Sequence, residues 1–531
     1  MKVIVCDPIS PKGIELLKAC SALEVVVLPK PPSEVELLLL VKDAAALAVR
    51  SETKVNRKVM EAAPHLKVVG RAGVGVDNVD VDAATERGVI VMNTPGGNTI
   101  STAELTFSML MALARKIPQA HLSMTQGEWD RKSFKGTELF GKTLGVLGMG
   151  RIGSEVAKRA LAFSMKVVAY DPYLTLDRAK ELGVELVDEL NRLFAAADFI
   201  TVHMPLTDET RGMVNAAAFA KMKDGVRLLN CARGGIINEV DLLAALESGK
   251  VAGAALDVYE VEPLAKDSPF RSNSKVIMTP HLGASTEEAQ ENVGIEVAEQ
   301  IIDLLTTGEV RNAVNLPNLD AKTYAKVKPF LILAEKLGKL AGQLAPKRNE
   351  QLVITYGGKA AELRSDPVTR SLLKGFLESA GGQDVNQVNV RLMAKGLGLL
   401  VEEIKSNEET DYNEWIHVAV YSGGQKVVSV GGTVLGARNQ PRIVRLNSRT
   451  VEIVPEGVLF LFNNKDRPGM VGHIGTLMGK HQVNIASMTL DRDNAGGQAL
   501  TVLNLDSVPP KELLDEIQKD PDISNVRVVR L

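Results

Sequence analysis

The chain has 531 residues, of which 45% are hydrophobic and 24% charged, a balance typical of a soluble globular protein with three or four domains. This composition excludes a disordered or fibrous protein, and the formal net charge of −3 provides no basic surplus for binding nucleic acid or an anionic membrane. The longest apolar runs, such as LLLLV, fall far short of the ~18 residues that a membrane-spanning helix needs. We therefore predict no nucleic-acid partner and no membrane partner.

The N-terminal residues and the cysteines indicate the compartment. The sequence starts with MKVIVCDPIS, which has neither the apolar core of a signal peptide nor the Arg- and Ser-rich start of a transit peptide. Cys6, Cys20 and Cys231 form no CxxC pair, so neither zinc nor redox exchange is expected. A reducing cytoplasm and no bound metal are the prediction.

The first part of the chain alternates short β-rich runs with helical patterns, which predicts parallel sheets covered by helices. A helical stretch over 100–117 separates two such series, and the second series has the six strands of a doubly wound dinucleotide fold. The predicted fold class is therefore α/β at this end, with two Rossmann-like doubly wound parallel sheets. The strand runs are KVIVCD, LEVVVL, AAALAVRS, LKVVGR and GVIVMN, then KTLGVL, KVVAYD, DFITVH, VRLLN, AGAALDV and KVIMT.

The second part of the chain has a different pattern. A helix over 287–308 and a Pro- and Asn-containing linker over 314–320 precede a region that mixes helices with two glycine-broken strands, QLVITYGG and VVSVGGTVLG. The last 75 or so residues follow the order βαββαβ, which is the ferredoxin-like pattern. An α+β domain and a ferredoxin-like domain are therefore expected to follow the two sheets. The predicted domains are 1–98 together with 287–315, then 99–286, 316–453 and 454–531.

The segment LGVLGMGRIG places three glycines in the spacing GxGxxG between a predicted strand and a predicted helix. In this context Gly148 permits a tight turn, Gly150 lets a pyrophosphate approach the backbone, and Gly153 lets the helix lie close to its strand. The next strand ends at Asp171, whose carboxylate is placed to bind ribose hydroxyls and so to select NAD over NADP. The alternative is that Asp171 serves only as a turn residue before Pro172.

Three ionisable residues follow three predicted strands of the second series. Arg233 lies in NCARGG, Glu262 in DVYEVEP and His281 in TPHLGAST. Each alone has an ordinary structural explanation, as a surface ion pair, a solvated acid and a loop histidine. Together at neighbouring strand ends they predict hydride transfer at a carbon that bears oxygen: a general acid/base histidine, a carboxylate that holds its ring and an arginine that binds a carboxylate.

The chain resembles the D-2-hydroxyacid dehydrogenase family through LGVLGMGRIG, LLNCARGGIIN, ALDVYEVEP and TPHLGAST. RAGVGVDN and MNTPGGNT narrow the resemblance to its D-3-phosphoglycerate dehydrogenase branch, in the long form with an intervening domain and an ACT domain. The resemblance implies NAD-dependent oxidation of 3-phosphoglycerate to 3-phosphohydroxypyruvate, the first step of serine biosynthesis, with Arg233, Glu262 and His281 as catalytic residues. It also implies that NAD is bound by Gly148, Gly150, Arg151, Ile152, Gly153, Asp171, Met204, Cys231, Ala232, Asp257, Gly283 and Ala284.

The same resemblance implies how the phosphorylated substrate is bound. Arg50 and Arg71 are expected to bind its carboxylate or phosphate, Gly73 belongs to the loop RAGVGVDN that offers backbone amides to an anion, and Arg131 is expected to reach a neighbouring subunit. The competing interpretation is that these arginines are simply solvated. The resemblance further implies L-serine as a possible effector of the ACT domain. The effector residues are Asn464, Asp466 and Asn484.

Two alternative functions remain open from the sequence. One is a reductase of another 2-oxo acid, such as glyoxylate, hydroxypyruvate or 2-oxoglutarate. The other is an NAD-sensing regulatory protein on the same fold, against which the intact Arg, Glu and His set argues. The helix at 100–117 and the ACT domain are expected to pair copies of the chain, as a homodimer or a homotetramer.

Overall fold

The structure is a computed structural model that describes residues 1–317, 321–379, 381, 385–408, 410–436 and 438–531. This part of the chain contains four β-sheets. The predicted linker over 314–320 lies partly outside these residues. The first two sheets are parallel, the third is mixed and the fourth is antiparallel. The predicted fold class is thus confirmed.

The first sheet is a parallel sheet of five strands in the order β2-β1-β3-β4-β5. Its central strand β3 is buried along its whole length, because helices cover both faces. The strands are β1 Lys2–Val5, β2 Glu24–Val27, β3 Ala44–Val49, β4 Val68–Arg71 and β5 Ile90–Asn93, and the helices are α1 Pro11–Ala19, α2 Glu34–Leu40, α3 Arg57–Ala62 and α4 Val81–Glu86.

The second sheet is a parallel sheet of seven strands in the order β12-β11-β10-β9-β6-β7-β8, with the crevice of a dinucleotide fold between β6 and β9. The strands are β6 Thr143–Leu147, β7 Lys166–Tyr170, β8 Glu185–Leu186, β9 Phe199–Val202, β10 Val226–Asn230, β11 Val251–Leu256 and β12 Val276–Met278. The helices are α5 Thr99–Arg115, α6 Ile117–Thr125, α7 Arg151–Ala162, α8 Leu176–Leu182, α9 Leu190–Ala196, α10 Ala216–Lys221, α11 Glu239–Glu247 and α12 Glu287–Thr307.

The sequence predicted six strands for this sheet, and the structure has seven. The strand that was missed, β8, has only two residues and therefore carries no periodic pattern. The helix predicted over 100–117 ends at Arg115, where Lys116 adopts a left-handed backbone conformation and turns the chain into α6. The last helix, α12, returns to the first sheet, where Val293 and Val297 pack with Val3 and Val5.

The third sheet has six strands in the order β14-β13-β15-β16-β17-β18 and packs against two long helices, α13 and α14. Only β13 and β16 were identified from the sequence. The strands are β13 Gln351–Gly358, β14 Leu400–Ser406, β15 Glu414–Ser422, β16 Gln425–Leu435, β17 Gln440–Leu446 and β18 Arg449–Ile453, and the helices are α13 Ala321–Leu344, α14 Ser365–Ser379 and α15 Val390–Gly396.

The fourth sheet has the order β20-β21-β19-β22 and is antiparallel, as the βαββαβ pattern predicts. Two helices cover one face, and on the other face Leu459, Leu461 and Val502 join the hydrophobic core of the third sheet. These two sheets therefore share one core. The elements are β19 Val458–Lys465, α16 Met470–Lys480, β20 Ile485–Arg492, β21 Gln498–Leu505, α17 Lys511–Gln518 and β22 Ile523–Arg530.

Within these described residues, no helix has both the length and the apolar character required to cross a lipid bilayer.

Candidate active site

The turn between β6 and α7 has the geometry that its three glycines suggest. Gly148 adopts a φ of +94°, and a Cβ atom at this position would lie 2.7 Å from the carbonyl oxygen of His203. A Cβ atom on Gly153 would lie 2.0 Å from the carbonyl oxygen of Gly148, so α7 approaches the turn too closely for any side chain. At Gly150, by contrast, a Cβ atom would meet no atom within 4 Å. The turn is therefore tight on its inner side and open above Gly150.

This open space lies at the N-terminus of α7, a helix of 12 residues whose first amides offer partial positive charge to an anion. Arg151, the first residue of α7, is exposed, and its guanidinium lies near Glu296 of α12 and the backbone of Gly96. Ile152 is partly buried in the core beneath the sheet. The arrangement fits a dinucleotide, because a bare backbone, a helix N-terminus and an arginine share one space.

Asp171 follows β7 directly and lies beside the glycine turn. One of its carboxylate oxygens accepts a hydrogen bond from the Met149 amide at 2.7 Å, and the other accepts one from the Tyr173 amide at 2.8 Å. Asp171 is thus adjacent to the dinucleotide space and also stabilises the turn before Tyr173. The geometry is compatible with both roles considered for it.

The remaining residues expected to bind NAD line the ends of the neighbouring strands. Met204 packs against Gly148 with its side chain. Cys231 points into the core, where its Sγ lies 3.7 Å from Met109 Sδ and burial raises the pKa of the thiol to about 12. Only the backbone of Cys231 and that of the partly buried Ala232 are therefore available to a ligand.

Asp257 lies at the end of β11 and is completely buried. Burial raises its pKa, although its carboxylate accepts hydrogen bonds from Thr279 Oγ1 at 2.6 Å and from the amides of Leu282 and Gly283 at 2.7 and 2.9 Å. It therefore organises the loop that follows β12. Ala284 comes next in this loop and is partly buried.

His281 and Glu262 form a hydrogen-bonded pair, with 2.7 Å between His281 Nδ1 and Glu262 Oε2. The second oxygen of Glu262 accepts a hydrogen bond from the Tyr259 amide at 3.0 Å. Burial raises the pKa of Glu262, but the hydrogen bond and charge of His281, the Tyr259 amide and the charge of Arg233 together hold it below its ordinary value. Because Nδ1 is engaged, Nε2 is the nitrogen left for proton transfer to and from a substrate.

Arg233 follows β10 in the lobe built on the second sheet and reaches across to the first lobe, which is built on the first sheet. There its Nε lies 3.2 Å from Asp77 Oδ2. Its Nη1 donates a hydrogen bond to the carbonyl oxygen of Ala232 at 2.7 Å, and Nη2 lies against Gly75 so closely that a Cβ atom there would be 2.0 Å away. The guanidinium therefore stands at the junction of the two lobes. The structure brings Arg233, Glu262 and His281 together at one end of the second sheet.

Arg71 and Arg50 lie on the other side of this junction, at the carboxyl ends of β4 and β3. Burial, reinforced by the charges of Arg233 and Arg50, lowers the pKa of Arg71 to about 10, so the three guanidinium groups are close enough to repel one another. Arg71 Nε is buried and has no hydrogen-bond partner among the described residues. Gly73, with a φ of +144°, leaves space for Arg71 Nη1. Such a cluster of cations can bind an anion.

Arg131 does not join the other arginines in any contact. It is exposed in the loop after α6 and forms no hydrogen bond or ion pair within the described part of one chain. A role at the site would require a second copy of the chain.

The three residues expected at the effector site do not converge within one chain. Asn464 is buried and accepts a hydrogen bond from Thr501 Oγ1 at 2.8 Å. Asp466 bonds Arg492 Nη1 at 3.0 Å, whereas Asn484 bonds Asp506 at 2.7 Å. Asp466 and Asn484 thus lie at opposite ends of β20, a strand of eight residues that spans roughly 25 Å.

Two buried or bridging carboxylates at the site escaped the sequence analysis. Asp77 contacts Arg233, and Asp7 accepts hydrogen bonds from the amides of Arg50 and Thr53 at 2.5 and 3.2 Å, which fixes the loop after β3. Asp7 follows the strand run KVIVC, so its position at a strand end was an available signal. Nothing local in RAGVGVDN distinguishes Asp77.

Three family models match the chain. The NAD binding domain of the D-isomer specific 2-hydroxyacid dehydrogenases matches residues 107–283, the D-3-phosphoglycerate dehydrogenase intervening domain matches 326–447, and the ACT domain matches 458–522. The matches follow one another along the chain. They correspond to the second, third and fourth sheets.

Relatives of known name match over the full length. The chain is 44% identical to D-3-phosphoglycerate dehydrogenase of Methanocaldococcus jannaschii, with 100% of both chains covered, and 43% identical to that of Bacillus subtilis, with 100% and 99% covered. Among solved structures, the NAD⁺-bound 3-phosphoglycerate dehydrogenase of Entamoeba histolytica is 31% identical, with a TM-score of 0.51 over 60% of this chain and 99% of that one. A glyoxylate reductase from Paecilomyes thermophila is 31% identical, with a TM-score of 0.55 over 59% and 98%.

The dinucleotide turn and the His281–Glu262 pair, together with these matches, define an NAD-dependent oxidoreductase of the D-isomer specific 2-hydroxyacid dehydrogenase class. Within that class, the identity over the full length narrows the assignment further. The chain belongs to the D-3-phosphoglycerate dehydrogenase family.

Proposed function

We infer that this chain catalyses the NAD-dependent oxidation of 3-phosphoglycerate to 3-phosphohydroxypyruvate, the first step of L-serine biosynthesis. The observation that carries this inference is the meeting of an acid/base pair with three arginines at the junction of the two lobes. It occurs in a chain that matches D-3-phosphoglycerate dehydrogenases from end to end. An acid/base pair acts on a hydroxyl, and a cation cluster suits a substrate with both a carboxylate and a phosphate.

The residues around the glycine turn fit NAD. A Cβ atom on Gly150 would meet no atom within 4 Å, the N-terminus of α7 faces this space, and Asp171 lies at its edge. When bound there, NAD supplies the acceptor for the hydride that leaves the substrate carbon. The carboxylate of Asp171 favours ribose hydroxyls over a ribose phosphate, because a phosphate would meet a like charge.

The side chains of this protein perform the proton transfer. In the oxidation, His281 Nε2 accepts the proton of the substrate hydroxyl, and in the reverse reaction it returns that proton to the carbonyl oxygen. Glu262 keeps the ring oriented through Nδ1 and stabilises the positive charge that the ring acquires. Arg233 binds the substrate carboxylate and stabilises negative charge on the neighbouring oxygen.

The phosphate of the substrate is assigned to Arg50 and Arg71. Repulsion among the three arginines is relieved when an anion enters, and the unpartnered Arg71 Nε provides a further donor. Arg131 is proposed to complete the site from a neighbouring subunit, as its exposed position outside the cluster permits.

The assignment is tested by assaying NADH formation with 3-phosphoglycerate, glycerate and lactate, with the product trapped because the oxidation is uphill. We expect a strong preference for 3-phosphoglycerate in the parent enzyme and a loss of that preference in Arg50→Gln. The matched control is Arg57→Gln, which removes an exposed arginine of the same lobe that bonds Glu86. Equal rates with phosphorylated and unphosphorylated acids would indicate a reductase of another 2-oxo acid instead.

L-serine is the effector that we propose for the ACT domain. Asp466 and Asn484 are too far apart in one chain to bind one small ligand, so the site requires Asp466 of one copy and Asn484 of another. This proposal implies a homodimer or a homotetramer. The exposed apolar side chains of Ile117, Leu122 and Met124 on α6 offer a second pairing surface.

A cytoplasmic location is also proposed. All three cysteines are free thiols, and Cys6 and Cys231 are buried within the two lobes. Unpaired cysteines in this arrangement are typical of a protein that folds in a reducing compartment.

A further inference from the structure

The loop that carries His281 contains an unusual backbone conformation. His281 has a φ of +56°, in the left-handed region that residues with a Cβ atom seldom occupy. A histidine held in this conformation keeps its ring direction only if the surrounding structure fixes the backbone on both sides of it. The contacts of the next residues in the loop show how this is achieved.

The peptide groups after His281 are held from one side by Asp257. Its carboxylate accepts hydrogen bonds from the amides of Leu282 and Gly283 at 2.7 and 2.9 Å. Because Asp257 is completely buried at the end of β11, it is a fixed anchor for this part of the loop. Asp257 alone, however, contacts only the amide side of the loop.

The carbonyl side is held by two hydroxyl groups of another element. Ser101 Oγ and Thr102 Oγ1 both donate hydrogen bonds to the carbonyl oxygen of Gly283, at 2.8 and 2.9 Å. Thr102 is 3% exposed, and a Cβ atom on Gly283 would lie 3.2 Å from Thr102 Oγ1. Gly283 is therefore held between the Asp257 carboxylate and the hydroxyl groups of Ser101 and Thr102, an arrangement called the clamp below, and a side chain at this position would fit only tightly.

Both hydroxyl groups lie in the first turn of α5, which follows directly on the loop from the first lobe. The rest of α5 packs on the second sheet, where Leu110 and Leu113 contribute to the core that contains Leu229 and Ala255. The clamp therefore connects the point where the two lobes join to the loop of the acid/base histidine. Nothing in the sequence pattern of this helix predicts such a contact.

We propose that Ser101 and Thr102 are positioning residues for the reaction, which hold the Gly283 carbonyl so that His281 keeps its backbone conformation and its ring remains on Glu262. The proposal rests on the function assigned above to His281. Neither hydroxyl contacts the ring, so both act through the backbone of the loop. Loss of the clamp is expected to misdirect proton transfer more than it weakens binding of the substrate.

The experiment compares Ser101→Ala/Thr102→Val with the parent enzyme and with Thr106→Val as the matched control. Thr106 is a buried threonine one turn further along α5, and its hydroxyl bonds the carbonyl oxygen of Thr102 within the helix and contacts the thiol of Cys231. We expect kcat to fall on the order of 10- to 100-fold in the double variant, with a larger solvent isotope effect and little change in KM. Thr102→Ser, which keeps the hydroxyl, is expected to restore most of the rate, and Thr106→Val to retain it.

A second measurement does not depend on which acid is oxidised. Diethylpyrocarbonate modifies neutral histidine rings, and the rate of modification of His281 can be followed by mass spectrometry of the full chain. We expect faster modification in the double variant and in Ser101→Ala, and no change in Thr106→Val. This result does not require that the parent enzyme oxidises 3-phosphoglycerate. The positioning role of Ser101 and Thr102 and the proposed function can therefore be tested separately.

Two outcomes would overturn the proposal. One is a double variant that folds and keeps kcat within about twofold of the parent, a difference too small for a lost alignment. The other is a loss of NAD affinity with kcat at saturation unchanged, which would assign the clamp to cofactor binding. If the double variant does not fold, the single variant Ser101→Ala decides by the same two measurements.

Discussion

Glu262 Oε2 lies 2.7 Å from His281 Nδ1, although the two residues follow different strands of the second sheet. The contact is possible because β11 and β12 are parallel neighbours, so the loops that follow them leave from the same edge. With the Tyr259 amide on its other oxygen, the carboxylate has little freedom to rotate. The ring of His281 is thereby held with one nitrogen engaged and the other free.

The charge of Glu262 is expected to persist at acid pH. The net effect of its surroundings lowers the pKa of Glu262, so it remains a carboxylate as the pH falls below the ordinary range for a glutamate. Activity that depends on this carboxylate is therefore retained to lower pH than for an ordinary glutamate. We expect the pH profile of kcat/KM in the parent enzyme to show no decline due to Glu262 at about pH 4.3, the ordinary pKa of a glutamate.

In Glu262→Gln, the His281 ring loses its negatively charged partner, so the pH dependence of kcat/KM is expected to differ from that of the parent enzyme. kcat is expected to fall about 10²-fold, because the ring also loses the partner that fixes its tautomer. Glu260→Gln, an exposed glutamate two residues away, is the control and should keep the parent profile. An unchanged pH profile together with an unchanged kcat in Glu262→Gln would contradict the assigned pair.

The role of Asp171 can be separated from its structural contacts. If it binds the ribose, Asp171→Ala weakens NAD binding about 10- to 100-fold, the loss expected for hydrogen bonds to a charged group, and improves the use of NADP relative to NAD. The measurement is the dissociation constant of each cofactor by fluorescence. Asp177→Ala, an exposed aspartate in the first turn of α8, is the control.

The alternative role as a turn residue predicts a different result. Asp171 already bonds the amides of Met149 and Tyr173, so its removal would loosen the glycine turn and weaken both cofactors in parallel. An unchanged preference between NAD and NADP would therefore favour the turn role alone.

The arginine cluster predicts that anions stabilise the fold. Burial and the charges of Arg233 and Arg50 disfavour the Arg71 cation, so an anion that enters relieves repulsion. Inorganic phosphate at ten times its dissociation constant should add ~1.4 kcal/mol to the free energy of unfolding, seen as a higher Tm in calorimetry.

Arg71→Met should abolish this phosphate-dependent rise without lowering the Tm of the ligand-free protein, because it also removes the repulsion. Arg57→Gln, whose side chain bonds Glu86 on the outside of the same lobe, should retain the rise. A full phosphate effect in Arg71→Met would remove Arg71 from the anion site.

The sequence predicts most of the catalytic end of the second sheet. Arg233, Glu262 and His281 are recognisable because each follows a strand, and parallel strands end at a common edge. The carboxylates of Asp77 and Asp7, which contact Arg233 and the amide of Arg50, were not recognised from the sequence. The contact of Asp77 with Arg233 depends on how one lobe faces the other, and no local pattern encodes that long-range arrangement.

The third sheet shows the same limit at the level of the fold. Strand β14 reads LVEEIKS and lies at the edge of the sheet, where its charged side chains are exposed and no alternation of apolar residues is required. The buried strand β13, in contrast, alternates along its length and was identified. Edge strands are thus the elements that a periodic pattern reveals least.

The distance between Asp466 and Asn484 gives a direct test of the effector site. If serine binds between two copies, Asp466→Ala and Asn484→Ala should each abolish serine binding, because every interface lacks one required side chain. A mixed assembly of the two variants, made by co-expression with different tags, should recover binding at one of the two sites of a twofold interface. Calorimetry of the purified mixed assembly measures the number of sites.

Two controls make this test specific. Asp493→Ala removes an exposed acid of the loop that follows β20, and it should leave serine binding intact. Recovery in the mixed assembly is expected only if the two residues act across the interface, since within one chain they are an entire strand apart. Failure of the mixed assembly to bind, with the parent binding serine normally, would show that the site is built from other residues. Absence of serine binding in the parent would remove the effector assignment altogether, while the dehydrogenase assay would still report on the arginines and on His281.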